Sequence, residues 1–135
     1  MAKKILVIDD DQLNVKLLKL RLESSQYEVV TAYDGKEGLS KVSREKPDLI
    51  ILDVQVPKVN GYTFMLEFKR MEEFSRVPVI VLTAHEEMQP IFTLKGVRGY
   101  LVKPIKFEML FEKLDALLGP QTPQAPQAPA KDSVQ

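Results

Sequence analysis

Three carboxylates in succession, Asp9-Asp10-Asp11, stand where the apolar run Ile5-Leu6-Val7-Ile8 stops, and a fourth, Asp53, closes the run Leu49-Ile50-Ile51-Leu52. Acidic oxygens gathered at one point repel one another unless a hard cation such as Mg²⁺ neutralises them. That ion is commonly held through one or two carboxylates with several waters retained. A single strand-end Asp needs no such partner, because it can serve as the N-cap of the next helix. Four of them on two runs call for more than capping. Farther along, Thr83 ends the run from Val77, and Lys103 follows Tyr100-Leu101-Val102. A hydroxyl and an ammonium beside a metal-bound carboxylate make a receptor for a tetrahedral oxyanion, neutralising its charge and donating hydrogen bonds to it. Taken singly, Thr83 is an ordinary β-branched strand residue and Lys103 a solvated charge. The acidic cluster is what gives them chemistry.

These groups meet only if the elements that carry them open on one edge. Residues 4–9 are short, continuous and β-branched, which predicts a strand buried on both faces. Helix formers follow over 12–24, then a second strand over 27–32 closed by Asp34-Gly35. Leu39 and Val42 give the next helix an apolar stripe, and Pro47 precedes strand three. Pro57 and Gly61 bracket a loop before Tyr62, Met65 and Phe68 recur at helical spacing. Strand four is expected over Val77–Thr83, with Pro78 tolerable near its start. Pro90 opens a helix of about two turns that Gly96 stops. Strand five is expected over Gly99–Val102. A strongly amphipathic last helix then carries Phe107, Leu110, Phe111, Leu114, Leu117 and Leu118, and ends at Gly119-Pro120.

Five strands alternating with five helices predict an α/β fold, a doubly wound parallel sheet in the order 2-1-3-4-5. That order makes strands one and three neighbours at the switch point and brings Asp9, Asp10 and Asp53 together. The first helix has two apolar stripes on nearly opposite faces, Leu13-Leu17-Leu20 and Val15-Leu18-Leu22. One must face the core; the other is either ordinary exposed apolar area or, the preferred reading, a docking strip for a partner helix.

Composition excludes several classes of function. The 135 residues are 44% hydrophobic and 28% charged, as in one ordinary globular domain. Nineteen basic side chains balance 19 acidic ones, so no net field draws the chain to nucleic acid or an anionic membrane. Without Cys there are no disulfides and no thiolate metal sites. Met1-Ala2-Lys3-Lys4 begins like a signal peptide, but its apolar run dies at Asp9, and no run approaches membrane-spanning length. The expectation is a cytoplasmic protein with a globular domain over 1–118. Residues 119–135, with Pro at every third position from Pro120 to Pro129, predict a disordered tail.

Read in order, five segments resemble a two-component response-regulator receiver domain of the single-domain, chemotaxis-regulator type. They are Lys4-Ile5-Leu6-Val7-Ile8-Asp9-Asp10-Asp11, Pro47-Asp48-Leu49-Ile50-Ile51-Leu52-Asp53, Val54-Gln55-Val56-Pro57-Lys58-Val59-Asn60-Gly61, Val81-Leu82-Thr83-Ala84 and Tyr100-Leu101-Val102-Lys103-Pro104. The resemblance implies that Asp53 accepts a phosphoryl group from a histidine kinase or histidine phosphotransfer protein. It implies Mg²⁺ held by Asp9, Asp10, Asp53 and the backbone carbonyl of Gln55, with Lys103 pairing the acceptor. Thr83 becomes the sensor of the phosphoryl group, Tyr100 the aromatic switch, and Lys103-Pro104 a cis peptide. By the same resemblance the chain is not an enzyme but a phosphoacceptor assisting its own phosphorylation and dephosphorylation. A downstream protein partner would read the Pro90–Gly96 helix, strand five and the last helix.

Gln55 and Val56 depart from the apolar pair common after the acceptor, and Asn60 stands where Asp is common. His85, the lone histidine, reads as an exposed loop residue. The rival class is a haloacid-dehalogenase-like phosphatase with Asp9 as nucleophile and Asp11 as acid/base. Gln12-Leu13 in place of small turn residues, and the lack of a late acidic pair, speak against it. A nucleotide-binding flavodoxin-like module lacks its Gly-rich loop after strand one.

Overall fold

In the computed structural model, residues 2–54, 61–74, 76–84 and 96–119 are described. Five strands, β1 (Lys4–Ile8), β2 (Glu28–Ala32), β3 (Leu49–Asp53), β4 (Val79–Thr83) and β5 (Val97–Val102), form one parallel sheet in the order β2-β1-β3-β4-β5. Helices α1 (Gln12–Ser24), α2 (Gly35–Glu45), α3 (Gly61–Lys69) and α4 (Phe107–Leu118) flank it, with a 3-10 turn at Glu72–Phe74. The helix expected from Pro90 lies outside the described residues, as do Gln55, His85 and the stretch from Pro120 onward. None of the described helices is long and apolar enough to cross a membrane.

The predicted strand order holds, and the pattern of side chains explains it. Successive residues on a strand point to opposite faces, so Leu6, Ile8, Ile50, Leu52, Val79 and Val81 meet Val42 of α2 and Phe64, Met65 and Phe68 of α3. On the other face Ile5, Val7, Leu49, Ile51, Ile80 and Leu82 meet Val15, Leu18 and Leu22 of α1 and Leu110 and Leu114 of α4. Each such side chain, removed from water, contributes about 1.5–3 kcal/mol. A helix cap adds about 1 kcal/mol. Packing against the sheet therefore decides where the helices lie, and caps trim their ends.

That packing chooses between the two stripes of α1. Val15, Leu18 and Leu22 are core, while Leu13, Leu17 and Leu20 are 76%, 45% and 63% exposed. Two close approaches bring the layers together. A Cβ on Gly38 of α2 would lie 2.5 Å from Cδ1 of Ile8, and one on Gly61 would lie 2.6 Å from Cα of Val54. Gly61 thereby seats the start of α3 directly against the residue that follows Asp53.

β1 ends and β2 starts one residue inside the expected bounds, and two strand starts differ by two residues. β4 starts at Val79, because Pro78 has no N–H to add to the ladder. β5 starts at Val97 rather than Gly99: Val79 pairs with Val97 and Ile80 with Gly99, so the register shift there takes up Arg98. A charged residue and a glycine hid that strand start from a reading of apolar runs. The last helix ends as predicted, with Gly119 at φ +82° and its N–H donating to the Asp115 carbonyl at 2.9 Å.

Candidate functional site: an acidic cluster with one lysine at the carboxyl edge

Because all five strands run parallel, β1, β3, β4 and β5 deliver their C-terminal residues to one edge. Asp9 follows the last residue of β1, and its N–H extends the ladder by donating to the Ala32 carbonyl at 3.0 Å. Asp53 is the last residue of β3 and Thr83 the last of β4; both side chains are buried. Lys103 comes one residue after β5, its N–H donating to the Thr83 carbonyl at 2.8 Å. The Lys103-Pro104 peptide is cis, as the resemblance implied.

One carboxylate oxygen from each of Asp9, Asp10 and Asp53 lies within 4.8 Å of the others. Asp9 is fully buried and Asp10 is exposed. Two carboxylates this close repel by roughly 3–4 kcal/mol at an effective dielectric of about 20. Lys103 supplies the positive charge within reach: Nζ donates to Oδ2 of Asp53 at 2.8 Å and lies 3.5 Å from Oδ2 of Asp9. Among the described residues, one ammonium stands against three carboxylates, and an all-oxygen anionic donor set suits a hard dication.

The electrostatics follow from this geometry. Burial raises the pKa of Asp9; hydrogen bonds from the Asp11 N–H and the Asn14 amide oppose it, and the neighbouring Asp53 adds to it. Burial pulls Lys103 down, but the carboxylates of Asp53 and Asp9 together outweigh it and hold the ammonium above its ordinary pKa.

The third carboxylate of the run stands outside the cluster. Asp11 is the N-cap of α1, its Oδ1 accepting from the N–H groups of Leu13 at 3.1 Å and Asn14 at 3.2 Å. The acid/base role that the phosphatase reading gave Asp11 thus falls on a carboxylate engaged in capping. A residue that sequence reasoning missed is Asn14, whose Nδ2 donates to Oδ2 of Asp9 at 2.6 Å. Its signal was an amide one helical turn past the carboxylates, on the face turned toward the strand end. Tyr100 lies on β5 and is 44% exposed.

Residues 5–115 match the family described as the response regulator receiver domain. The chain belongs to the response-regulator receiver family. This receiver is 40% identical over 120 residues to the alkaline phosphatase synthesis transcriptional regulatory protein PhoP of Bacillus subtilis, with 87% of the chain aligned to 49% of that protein. It is 32% identical over 121 residues to the polar-differentiation response regulator DivK of Brucella ovis, covering 88% of this chain and 98% of DivK. Among solved structures it resembles the receiver domain of the sensor histidine kinase PA1611 from Pseudomonas aeruginosa, at a TM-score of 0.79 and 30% identity over 88% of this chain and 99% of that one. A magnesium ion is coordinated in the active-site cleft of that receiver. The receiver spans about half the length of PhoP and nearly all of DivK. Its class of function is phosphorelay signal transduction. None of these likenesses favours a haloacid-dehalogenase-like phosphatase.

Proposed function

We propose that Asp53 is the phosphoacceptor of this receiver, and that Asp9, Asp10, Asp53 and the Gln55 carbonyl hold Mg²⁺. The observation that carries this reading is the Lys103–Asp53 contact at 2.8 Å beside three carboxylates within 4.8 Å of one another. In the transfer, an Asp53 oxygen attacks phosphorus on a phosphohistidine of a histidine kinase or histidine phosphotransfer protein. The O–P bond forms as the P–N bond breaks, and the imidazole leaves with the electron pair. Bound Mg²⁺ would neutralise charge between the two anions that must approach. Lys103, already on the acceptor carboxylate, moves with the negative charge to the phosphoryl oxygens. The Thr83 hydroxyl, at the end of the neighbouring strand, donates to a phosphoryl oxygen and senses its arrival.

The product is an acyl phosphate, which water cleaves to return Asp53 and inorganic phosphate. The receiver therefore assists both its phosphorylation and its dephosphorylation and acts as a switch rather than a turnover enzyme. Thr83 and Lys103 connect the phosphoryl site to β5 through the hydrogen bond between their backbones. A shift of Thr83 passes along β5 to Tyr100, which pairs with Val81 across the ladder. A groove of about 440 Å³ lined by Tyr100, Lys106, Met109 and Lys113 supports a downstream protein partner on this side. The exposed strip Leu13-Leu17-Leu20 supports docking of the donor's helix beside the site. This reading places the chain in the cytoplasm, apart from nucleic acid and membrane, with residues 119–135 as a dispensable tail.

The test is incubation with Mg²⁺ and a small phosphodonor, followed by mass spectrometry of wild type and Asp53→Asn. A single phosphoryl adduct that disappears in the variant is expected. An adduct that survives it, or one mapped to Asp9, would overturn the assignment.

A further inference from the structure

Lys103 faces two carboxylates, and the gap between them is small: 2.8 Å to Asp53 against 3.5 Å to Asp9. Asp9 is the more deeply buried of the two, so an ammonium within reach should be drawn to it. The side chain that meets this need first is Asn14. Its Nδ2 lies 2.6 Å from Oδ2 of Asp9, the same oxygen that Lys103 approaches, while Oδ1 of Asp9 accepts the Asp11 N–H at 3.0 Å. Asn14 is itself held in place, because its backbone N–H donates to the Asp11 cap at 3.2 Å. The run Asp9-Asp10-Asp11 and Asn14 thus form a closed loop: Asp11 fixes the first turn of α1, that turn presents Asn14, and Asn14 fixes Asp9.

We infer that Asn14 is a positioning residue that satisfies Oδ2 of Asp9 and so leaves Lys103 on Asp53. The inference rests on the metal site proposed above and adds to it a division of labour. A neutral amide hydrogen bond orients Asp9 without cancelling its charge, so the carboxylate keeps its attraction for a cation. An ammonium drawn onto Asp9 would cancel that charge and move away from Asp53. Donors behind metal-binding side chains act in this way, and their loss typically costs 10- to 100-fold in affinity.

The experiment is a double-mutant cycle on the full chain, with Mg²⁺ alone titrated calorimetrically and metal-free unfolding followed in parallel. Asn14→Leu keeps the approximate size and removes the amide. We expect Mg²⁺ to bind Asn14→Leu roughly tenfold more weakly than wild type. In the Lys103→Met background, which has no ammonium to be drawn onto Asp9, the same substitution should lose most of that effect. Asn14→Gln, which keeps the amide on a longer stem, should recover part of the affinity, and Asn14→Ala, which also lacks the amide, stands in if the leucine variant does not fold. Unchanged Mg²⁺ affinity in Asn14→Leu, or in Asn14→Ala should it stand in, overturns the inference. So does an equal loss with and without Lys103, which would mean that Asn14 does not act by steering the lysine. Wild type that binds no Mg²⁺ would overturn the metal site as well.

Discussion

Among the described residues, a lysine sits with three carboxylates at each edge of the sheet, Lys4 at one and Lys103 at the other, yet the two edges do different things. At the amino edge, Lys4 Nζ donates to the carbonyl and Oε1 of Glu45 at 3.0 and 3.3 Å and lies 3.7 Å from Oε2 of Glu28, while its backbone N–H donates to Asp48 at 2.8 Å. Glu28 is exposed and the others are half-buried. Their carboxylates sit on separate segments and none is buried, so water screens them and each is satisfied where it stands. At the carboxyl edge, Asp9 and Asp53 are buried on short side chains that hold them beside Asp10. The count of charges is the same. Burial and confinement turn one set into a clip between β1, β2 and α2, and the other into a site that a cation and a phosphoryl group can complete.

The sharpest way to break this contrast is to change one carboxylate at each edge. Asp53→Asn should abolish phosphoryl uptake, because it removes the attacking oxygen anion, and Asp48→Asn should leave uptake at the wild-type level. Intact-mass measurement after treatment with a phosphodonor reads both, and any loss in Asp48→Asn would blur the division between the edges. Next in size is metal affinity. Asp10→Ala should weaken Mg²⁺ binding by roughly tenfold or more, since it takes an anionic oxygen from a site with few others. Glu45→Ala should leave the titration unchanged.

Stability separates the two lysines. Lys4→Met removes screened pairs and should cost less than about 1 kcal/mol. Lys103→Met takes the ammonium from beside two buried carboxylates and should cost more in metal-free protein, roughly 1–2 kcal/mol after allowing for the lysine's partial exposure. The pH dependence sharpens this. The folded pKa of Lys103 is raised above 10.5, so the stability its charge contributes is complete below about pH 10.5 and disappears as pH rises through the raised value. Thermal unfolding of metal-free protein across that alkaline range should show this loss in wild type and lack it in Lys103→Met. The same slope in both would remove Lys103 as its source.

The smallest effect concerns Asp9. Its raised pKa makes its contribution to metal-free folding most favourable below 3.8 and less so as pH rises through the folded value. Asp9→Asn should therefore raise the neutral-pH melting temperature of metal-free protein by a few degrees, the scale of about 1 kcal/mol in a domain of this size. The gain should shrink as pH falls toward 4. A variant that melts below wild type at neutral pH would mean that Asp9 stabilises the fold through its charge.

Much of this receiver is written locally in the chain. The β-branched runs that end in Asp9 and Asp53 are strands because such runs suit a sheet covered on both faces, and the alternation of strands with helices leaves few topologies. Once the order is known, parallel strands must put Asp9, Asp53, Thr83 and Lys103 on one edge, so the membership of the site followed from residue type and position alone. Other features had no local signature. The two stripes of α1 are equally apolar, and only contact with Ile5, Val7 and Leu49 made Val15, Leu18 and Leu22 the core. Asp9, Asp10 and Asp11 are identical as letters. The direction each takes after β1 ends made the first a buried anion, the second an exposed member of the cluster and the third a helix cap. Asn14 gained its place because the first turn of α1 leans over the strand end, and β5 gained Val97 because β4 offered it a partner. Residue type and period are properties of the chain, whereas burial and partnership belong to pairs of segments and arise only when those segments meet.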